Sequence, residues 1–184
     1  MCLQQTLFRN FKQTATRILG RLPKLWLLDT SKLIMKIYIA RPMAGHTYEE
    51  LAQNYQETAD MLRGMGYEVY HAMCGKSYLK NDTCFKAVGY DEYPLSNNHA
   101  IMERDHWMCQ TADVLFVNLL GCKRVSIGTC FELAWAHHMG KHTVVCMEKD
   151  NLHRHAFVIE AADVLYETFN EGMDYLAKLA RNEI

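Results

Sequence analysis

From residue 36 onward, the sequence predicts an α/β domain built on a doubly wound parallel sheet of about five strands. Two observations carry this prediction. Short apolar runs followed by glycine or proline alternate along the chain with longer segments in which apolar residues recur at helical spacing. Hydrophobic residues make up 49% of the 184-residue chain and charged residues 22%, which supplies a buried core and excludes a disordered chain.

The first strand and the first helix have the clearest patterns. Residues 37–40 are a short apolar run, and the following Pro42 and Gly45 end the strand. In residues 47–65 the apolar side chains fall on one helical face and the polar ones on the other, and glycines close the segment. Residues 67–70 are predicted to form the second strand.

The rest of the domain continues the alternation after a long irregular stretch. Residues 72–96 are rich in glycine, asparagine and aspartate, and a loop of this length is usually functional or mobile. The predicted elements that follow are a helix at 99–111, a strand at 114–120, a helix at 128–139, strands at 143–147 and 164–166, and a helix at 169–181. Strands that alternate with helices are typical of right-handed βαβ units with helices on both faces of the sheet.

Residues 1–34 form a basic extension that differs in kind from the single domain predicted at residues 35–184. Through residue 36 the chain carries seven Lys or Arg and one acidic residue. Such a stretch is typical of an organelle transit peptide or of an amphipathic arm. The alternative is that Met35 is the true start and that the preceding residues are only an extension.

The net charge, the apolar runs and the cysteine content exclude several classes of protein. A net charge of −1 argues against a general nucleic-acid binder, and no run of about 18 apolar residues predicts a membrane span. Seven cysteines without a regular framework fit free thiols in a reducing compartment. We therefore expect a cytoplasmic protein, unless residues 1–34 direct it to an organelle.

Glu132 is the first candidate catalytic residue. It shares its side of the predicted helix with Trp135 and Ala136, where a charged side chain is unusual. Near a helix N-terminus a carboxylate is favoured as the anion, and one stripped of water suits a nucleophile. The alternative is structural, because Thr129-x-x-Glu132 matches a capping box.

Asp105 shows the same anomaly on the preceding helix. Ile101, Met108 and Cys109 form the apolar face around it. The structural alternative is a surface aspartate paired with Arg104 or with a nearby lysine. Two carboxylates on apolar helix faces, each near the carboxyl end of a strand, are a candidate acid/base pair.

Two further motifs concern ligands. Ser126, Gly128 and Thr129 open the helix of Glu132 and predict an anion site, although an ordinary turn has the same composition. His71-x-x-Cys74 with Cys84 does not complete a tetrahedral metal set. The sequence has no Walker-type loop and no Gly-x-Gly-x-x-Gly motif, so we expect neither a metal nor a cofactor.

Three landmarks together resemble the nucleoside 2-deoxyribosyltransferase family, which includes the 2′-deoxynucleoside 5′-monophosphate N-hydrolases. They are the strand at residues 36–40, Asp105 seven residues before 112–114, and Gly128-x-x-x-Glu132. The resemblance covers most of residues 36–166. It implies a flavodoxin-like sheet and cleavage of the N-glycosidic bond between base and sugar.

The resemblance also implies roles for individual residues. Glu132 would be the nucleophile on the anomeric carbon, Asp105 would lie near the sugar and base, and Tyr38 would hydrogen-bond and orient Glu132. The family commonly forms dimers or larger oligomers in which a neighbour's loop closes the site. The matching stretch is 152–157, so His155 is a candidate to reach the neighbouring subunit's site.

The position six residues before the nucleophile divides the family. Transferases typically carry aspartate there, whereas this chain resembles the monophosphate hydrolases in having Ser126, which would contact phosphate. Arg41 stands where a small glycine is usual, so it would either contact phosphate or reshape the base pocket. Gly45 lies in the same loop and is included among the substrate-binding candidates.

The sequence thus predicts an N-glycosidase acting on a nucleoside 5′-monophosphate, a small-molecule substrate, without a nucleic-acid polymer or a membrane as partner. One alternative is a deoxyribosyltransferase that exchanges bases. Another is a nucleotide-binding module without catalysis. A buried carboxylate pair speaks against the module, because binding alone does not need one.

Overall fold

The computed structural model describes residues 34–81 and 84–184. The basic extension predicted at residues 1–34 lies outside the described residues, apart from Ile34. Within the described ranges, no helix is long and apolar enough to cross a membrane.

Five parallel strands form one sheet in the order β2-β1-β3-β4-β5. The strands are β1 (Lys36–Ala40), β2 (Glu68–His71), β3 (Val114–Asn118), β4 (His142–Cys146) and β5 (Val164–Tyr166). This strand order is that of the flavodoxin-like fold, so the predicted fold class is confirmed. The register places Tyr38 of β1 beside Tyr70 on one side and Leu115 on the other.

Helices cover both faces of the sheet. They are α1 (Tyr48–Gly64), α2 (Asn98–Thr111), α3 (Ile127–His138), α4 (Ala156–Glu160) and α5 (Phe169–Ala180). Side chains alternate along each strand, so Ile37 and Ile39 pack with α1 and α5, whereas Tyr38 and Ala40 pack with α2 and α3. This alternation is what turns Tyr38 toward the helices that carry the two candidate carboxyl groups.

The helix boundaries follow from capping residues. Thr47 and Thr168 each form a capping box, with Glu50 and Glu171, at the starts of α1 and α5. The short helix α4 was not expected from the sequence, because five residues show no readable periodicity.

The stretch predicted to be a long loop, residues 72–96, packs in part against the core over its described residues, 72–81 and 84–96. It contains two short 3₁₀ turns, Ser77–Leu79 and Pro94–Ser96. Leu79, Phe85 and Tyr90 are buried in the core that also holds α1 and α5. At Gly89 an added Cβ would lie 2.5 Å from the backbone nitrogen of Asn98, so only glycine allows this close approach. Members of the segment, among them Leu79, Phe85 and Tyr90, thus form a wall of a cavity at the end of the sheet.

Candidate active site

The candidate site lies at the carboxyl ends of β1 and β3, where ligands bind in open parallel sheets. The hydroxyl of Tyr38 donates a hydrogen bond to Oε1 of Glu132 at 2.6 Å, so the contact implied by the family resemblance is present. Tyr38 is fully buried and Glu132 is 6% exposed. Burial, with the charge of Glu132, holds the pKa of Tyr38 well above its usual value, and the phenol therefore stays a donor.

The helix that carries Glu132 begins earlier than the sequence suggested. Helix α3 starts at Ile127, and Ser126 is its N-cap, with Oγ accepting from the Thr129 amide at 3.4 Å. Glu132 therefore lies in the second turn and not at the third helical position. The capping-box interpretation of Thr129 and Glu132 is wrong for this reason.

Burial decides the protonation of Glu132. Removal from water, reinforced by the charge of Asp105, raises the pKa of Glu132 to about 8. The hydrogen bond from Tyr38 and the charge of Lys76 act in the opposite direction. The expectation that the helix N-terminus favours the anion is corrected here, because the helix dipole acts within the first turn and Glu132 lies beyond it.

Asp105 lies on the inner side of α2, as the helical phase predicted. Its side chain is 15% exposed, while Trp107 on the same helix is largely exposed. Nε of Arg104 lies 3.4 Å from Oδ1 of Asp105, so the neighbouring arginine pairs with a carboxyl group that is nevertheless largely shielded from water. Burial raises the pKa of Asp105, against the charges of Lys76 and Arg104.

Both carboxyl groups line one cavity of about 440 Å³. Three loops and two helices enclose it: the loops that follow β1, β2 and β3, and helices α2 and α3. Its lining includes Arg41, Lys76, Tyr90, Asp105, Ser126, Gly128, Thr129, Glu132 and Trp135. A cavity of this size, with two perturbed carboxyl groups on its wall, has the properties of an active site for a small molecule.

Positive charge gathers where the loops after β1 and β3 meet. A second cavity of about 320 Å³ shares Arg41 and Arg124 with the first, and Gly45 lines only the second. Gly45 has a φ of +92°, and a Cβ there would lie 3.5 Å from the Arg124 guanidinium carbon. Arg41 and Arg124 line both cavities, and Ser126 and the N-terminus of α3 line the first, so this end of the site is suited to an anion.

His153 was not singled out from the sequence. It is 2% exposed, and its Nε2 accepts a hydrogen bond of 2.8 Å from the backbone amide of Ser126. The partners are 27 residues apart, so no local motif announces the contact. Burial lowers the pKa of His153, which keeps the ring in the neutral form that accepts.

Lys76 was also missed. It is 4% exposed and lines the cavity from the packed segment after β2. Burial and the charge of Arg104 lower its pKa to about 8, while Asp105 and Glu132 act to raise it. A lysine in an irregular segment has no periodicity to show that it is buried, so the sequence carried no signal for this position.

Two sequence candidates lie away from the cavity. His155 is the N-cap of α4, where Nδ1 accepts from the Phe157 amide at 3.2 Å, and it lines neither cavity of its own chain. His71 stacks on Tyr55. In residues 34–81 and 84–184, no group of three or more His, Cys, Asp or Glu is arranged to hold a metal ion.

No protein-family model and no curated protein matches the chain. Solved structures resemble it at low identity. CMP N-glycosidase BcmB of Clostridium botulinum is 18% identical, with a TM-score of 0.47, over 80% of this chain and 98% of its own. A conserved protein of Enterococcus faecalis V583 is 17% identical, with a TM-score of 0.44, over 79% and 87% of the two chains. The β-glucosidase EmGH1 of Erythrobacter marinus is 14% identical, with a TM-score of 0.41, over 83% of this chain and 25% of its own.

Proposed function

We propose that this chain is an N-glycosidase that hydrolyses the base–sugar bond of a nucleoside or deoxynucleoside 5′-monophosphate, with Glu132 as the nucleophile. The observation that carries the proposal is a pair of carboxyl groups on the wall of one cavity, the buried Glu132 and the largely shielded Asp105. Cleavage of a glycosidic bond builds positive charge on the sugar ring, and a desolvated carboxylate beside the anomeric carbon stabilises that charge. The family resemblance of the sequence supports the same roles.

The two carboxyl groups divide the chemistry between them. Oε of Glu132 attacks the anomeric carbon as the C–N bond breaks, and the electron pair of that bond leaves with the base. The carboxyl proton of Asp105 passes to the base. Water then adds to the anomeric carbon of the glycosyl ester, Asp105 takes the proton of that water, and Glu132 and the sugar 5-phosphate are released.

The raised pKa values of both groups suit this division. The pKa of Glu132 is raised to about 8 and the pKa of Asp105 is also raised, so near neutral pH the two carboxyl groups keep a proton that ordinary carboxyl groups have lost. The active form has the proton on Asp105. The hydrogen bond from Tyr38 favours that form, because it stabilises Glu132 as the anion.

The phosphate is assigned to the polar end of the cavity. Ser126, Gly128 and Thr129 supply a hydroxyl group and first-turn amides, and Arg41 and Arg124 supply charge. Gly45 supports this end indirectly, since its φ of +92° is rarely adopted by other residues and lets the loop turn beside Arg124. A phosphate held there distinguishes a nucleotide from a nucleoside.

We further propose that the chain acts as a homodimer or larger homo-oligomer. Ile127 and Phe131 on α3 and Phe157 on α4 are exposed apolar residues, and the first two lie at the mouth of the cavity. A second copy that covers them would bring its own His155 toward the open mouth.

Phe131→Glu is expected to give a smaller particle by light scattering together with lower activity. Met61→Glu, on the other face of the sheet, should change neither, and an unaltered particle size in Phe131→Glu would contradict the proposal.

A panel of substrates tests the function. Purified protein is incubated with ribo- and deoxynucleoside 5′-monophosphates and with the matching nucleosides, with and without an acceptor base, and the products are separated by chromatography. The expected products are free base and sugar 5-phosphate, at a rate that the acceptor does not change. Base exchange would establish the transferase instead, and binding without any product would establish a binding module.

Glu132→Gln is the matched inactive variant. Loss of the nucleophile is expected to lower turnover roughly a thousandfold or more, which corresponds to several kcal/mol in the barrier. Glu57→Gln, on the exposed face of α1, makes the same chemical change away from the cavity and should retain full activity. Base release by Glu132→Gln at the rate of the unmodified protein would contradict the assignment.

A further inference from the structure

Lys76 is a buried ammonium group that the chemistry described above does not use. Its side chain is almost completely inside the protein and lines the same cavity as Glu132 and Asp105. Within the described part of the chain, no hydrogen bond or ion pair joins its ammonium group to another residue. A cation taken out of water normally has a partner, so an unpaired one at a cavity wall indicates a group supplied by a ligand.

The order of the strands tells on which side of the cavity Lys76 lies. It follows β2, whereas Arg124 and Ser126 follow β3, and β1 runs between these two strands. Adjacent strands are about 4.8 Å apart, so the segments after β2 and β3 leave the sheet roughly 10 Å apart. Tyr38 of β1, with Glu132 on its hydroxyl, stands between them. A nucleotide with its phosphate at Ser126 and its anomeric carbon at Glu132 therefore directs its base toward the segment after β2.

The wall on that side suits a base. Ala72, Leu79, Phe85 and Tyr90 from the segment after β2 line the cavity, and all four are buried. Apolar and aromatic side chains of this kind pack against a planar heterocycle, and a few polar groups among them fix its orientation. From this segment, Lys76 adds a buried cation to the wall.

We propose that the ammonium group of Lys76 contacts the base of the substrate, donates a hydrogen bond to a carbonyl oxygen of that base, and stabilises the negative charge that the departing base acquires. The inference rests on the proposed N-glycosidase function. The electron pair of the breaking C–N bond passes to the ring nitrogen and spreads onto the carbonyl oxygen. Lys76 keeps its protons throughout, and the proton that the base finally takes comes from Asp105. The substrate class is therefore narrowed to nucleotides whose base carries a carbonyl oxygen.

The carboxyl pair maintains Lys76 in the form that this role needs. Burial and the charge of Arg104 lower the pKa of Lys76, whereas Asp105 and Glu132 act to raise it, and at the resulting pKa of about 8 the cation predominates at neutral pH. A purely structural explanation also exists, in which Lys76 only balances the charge of the two carboxyl groups. That explanation predicts that replacing Lys76 lowers kcat/KM by the same factor for every substrate, because Lys76 does not contact the base.

The experiment compares leaving groups. Uracil, thymine, 5-bromouracil and 5-fluorouracil differ mainly in how well the base carries negative charge. Their deoxynucleoside 5′-monophosphates are hydrolysed by the unmodified protein, by Lys76→Met and by Lys80→Met. Lys80 is an exposed lysine of the same segment that does not line the cavity, and it serves as the matched control.

Lys76→Met is expected to lower kcat/KM at least roughly tenfold for uracil and thymine and much less for 5-fluorouracil, so the dependence on the leaving base becomes steeper. Lys80→Met should follow the unmodified protein within about twofold. If kcat/KM falls by the same factor for all four bases, Lys76 only balances the charge of the carboxyl groups, and the inference is overturned. A selective loss of preference for the monophosphate over the nucleoside would overturn it too, because Lys76 would then contact phosphate.

A binding measurement separates this inference from the proposed function. Deoxyuridine 5′-monophosphate is titrated calorimetrically into Glu132→Gln and into the double variant that also carries Lys76→Met. If the unmodified protein releases no base, the proposed catalysis fails, but a roughly tenfold weaker Kd in the double variant still supports the base contact. An equal Kd, or no binding to either protein, overturns the contact. Lys76→Gln, which keeps a donor without the charge, replaces the Met variant if that variant does not fold.

Discussion

Nε2 of His153 accepts a hydrogen bond of 2.8 Å from the backbone amide of Ser126, the residue that caps α3. Nδ1 of the same ring lies 3.0 Å from Oδ1 of Asn151, which fixes the ring with its proton on Nδ1. The side-chain amide nitrogen of Asn151 in turn donates a hydrogen bond to the Leu119 carbonyl at 2.7 Å. The loop after β4 thus holds the loop after β3, and with it the proposed phosphate site, in place.

His153→Ala is therefore expected to weaken both the fold and the use of phosphate. A buried amide without an acceptor costs about 1–3 kcal/mol, and the cap of α3 loses its support. His153→Gln, whose amide oxygen can accept, should restore part of the loss. The measurements are the Tm and the KM for a monophosphate and for the matching nucleoside. A KM that rises equally for both substrates would show that His153 does not act through the phosphate site.

The strands and long helices were predictable because their side chains repeat regularly. Residues 37–40 and 47–65 match β1 and α1 within about one residue, since one is a short apolar run and the other a clear amphipathic pattern. The strand predicted at 114–120 ends at Asn118. The prediction ran too long because Leu119 is apolar and buried although it lies beyond the strand. Apolar character alone does not mark the end of a strand.

The site was predictable where its residues lie on such elements. Tyr38, Asp105 and Glu132 stand on β1, α2 and α3, and helical phase identified the two carboxyl groups as unusual. Lys76 and His153 lie in connections, where their burial comes from contacts with distant parts of the chain. No local pattern encodes such contacts, and only the folded chain shows them.

Glu132 is expected to make the protein less stable as the pH rises. Its pKa is raised from 4.5 to about 8, so between these values the folded chain binds a proton that the unfolded chain has released. The free energy of unfolding therefore falls with increasing pH across this window. Glu132→Gln stays neutral and should exceed the unmodified protein by at least about 1 kcal/mol near pH 8.5, with little difference near pH 5. Denaturant unfolding at both pH values measures this.

Glu57→Gln provides the control for that comparison, because the side chain of Glu57 is exposed on α1. The difference in the free energy of unfolding between Glu57→Gln and the unmodified protein should not change with pH. If the stability of Glu132→Gln relative to the unmodified protein is the same at both pH values, Glu132 is ionised in the folded chain throughout the window, which means that the Tyr38 hydrogen bond outweighs the effect of burial.

Asp105→Asn should slow cleavage most for nucleotides with poor leaving bases, because the variant has no proton to give. General acids contribute roughly 100-fold to 10,000-fold, so a loss of about 100-fold or more is expected for the poorest base. Glu103→Gln, exposed on the same helix, is the matched control and should retain its activity. Rates that fall equally for good and poor leaving bases would limit Asp105 to positioning the sugar.

We expect Ser126 to decide between a nucleotide and a nucleoside as substrate. Its hydroxyl lies at the N-terminus of α3, 3.0 Å from Oγ1 of Thr129, where first-turn amides and the helix dipole favour an anion. A hydrogen bond to a charged group is worth about 1.5–3 kcal/mol, so Ser126→Ala should lower the preference for the monophosphate roughly 10-fold to 100-fold. That variant also loses a helix cap, which costs about 1 kcal/mol and must be recorded separately as a change in Tm.

Ser126→Asp is the sharper variant because aspartate caps a helix as well as serine does. Its Tm should stay close to that of the unmodified protein, while its charge repels phosphate and its oxygens can accept a hydrogen bond from a free 5′-hydroxyl. The preference for the monophosphate should therefore fall further than in Ser126→Ala, and cleavage of the nucleoside should rise. The measurement is kcat/KM for one base as nucleoside and as monophosphate in all three proteins. Equal rates on both substrates in the unmodified protein would show that the site does not recognise phosphate. That result would favour the transferase, whose substrates carry a free 5′-hydroxyl.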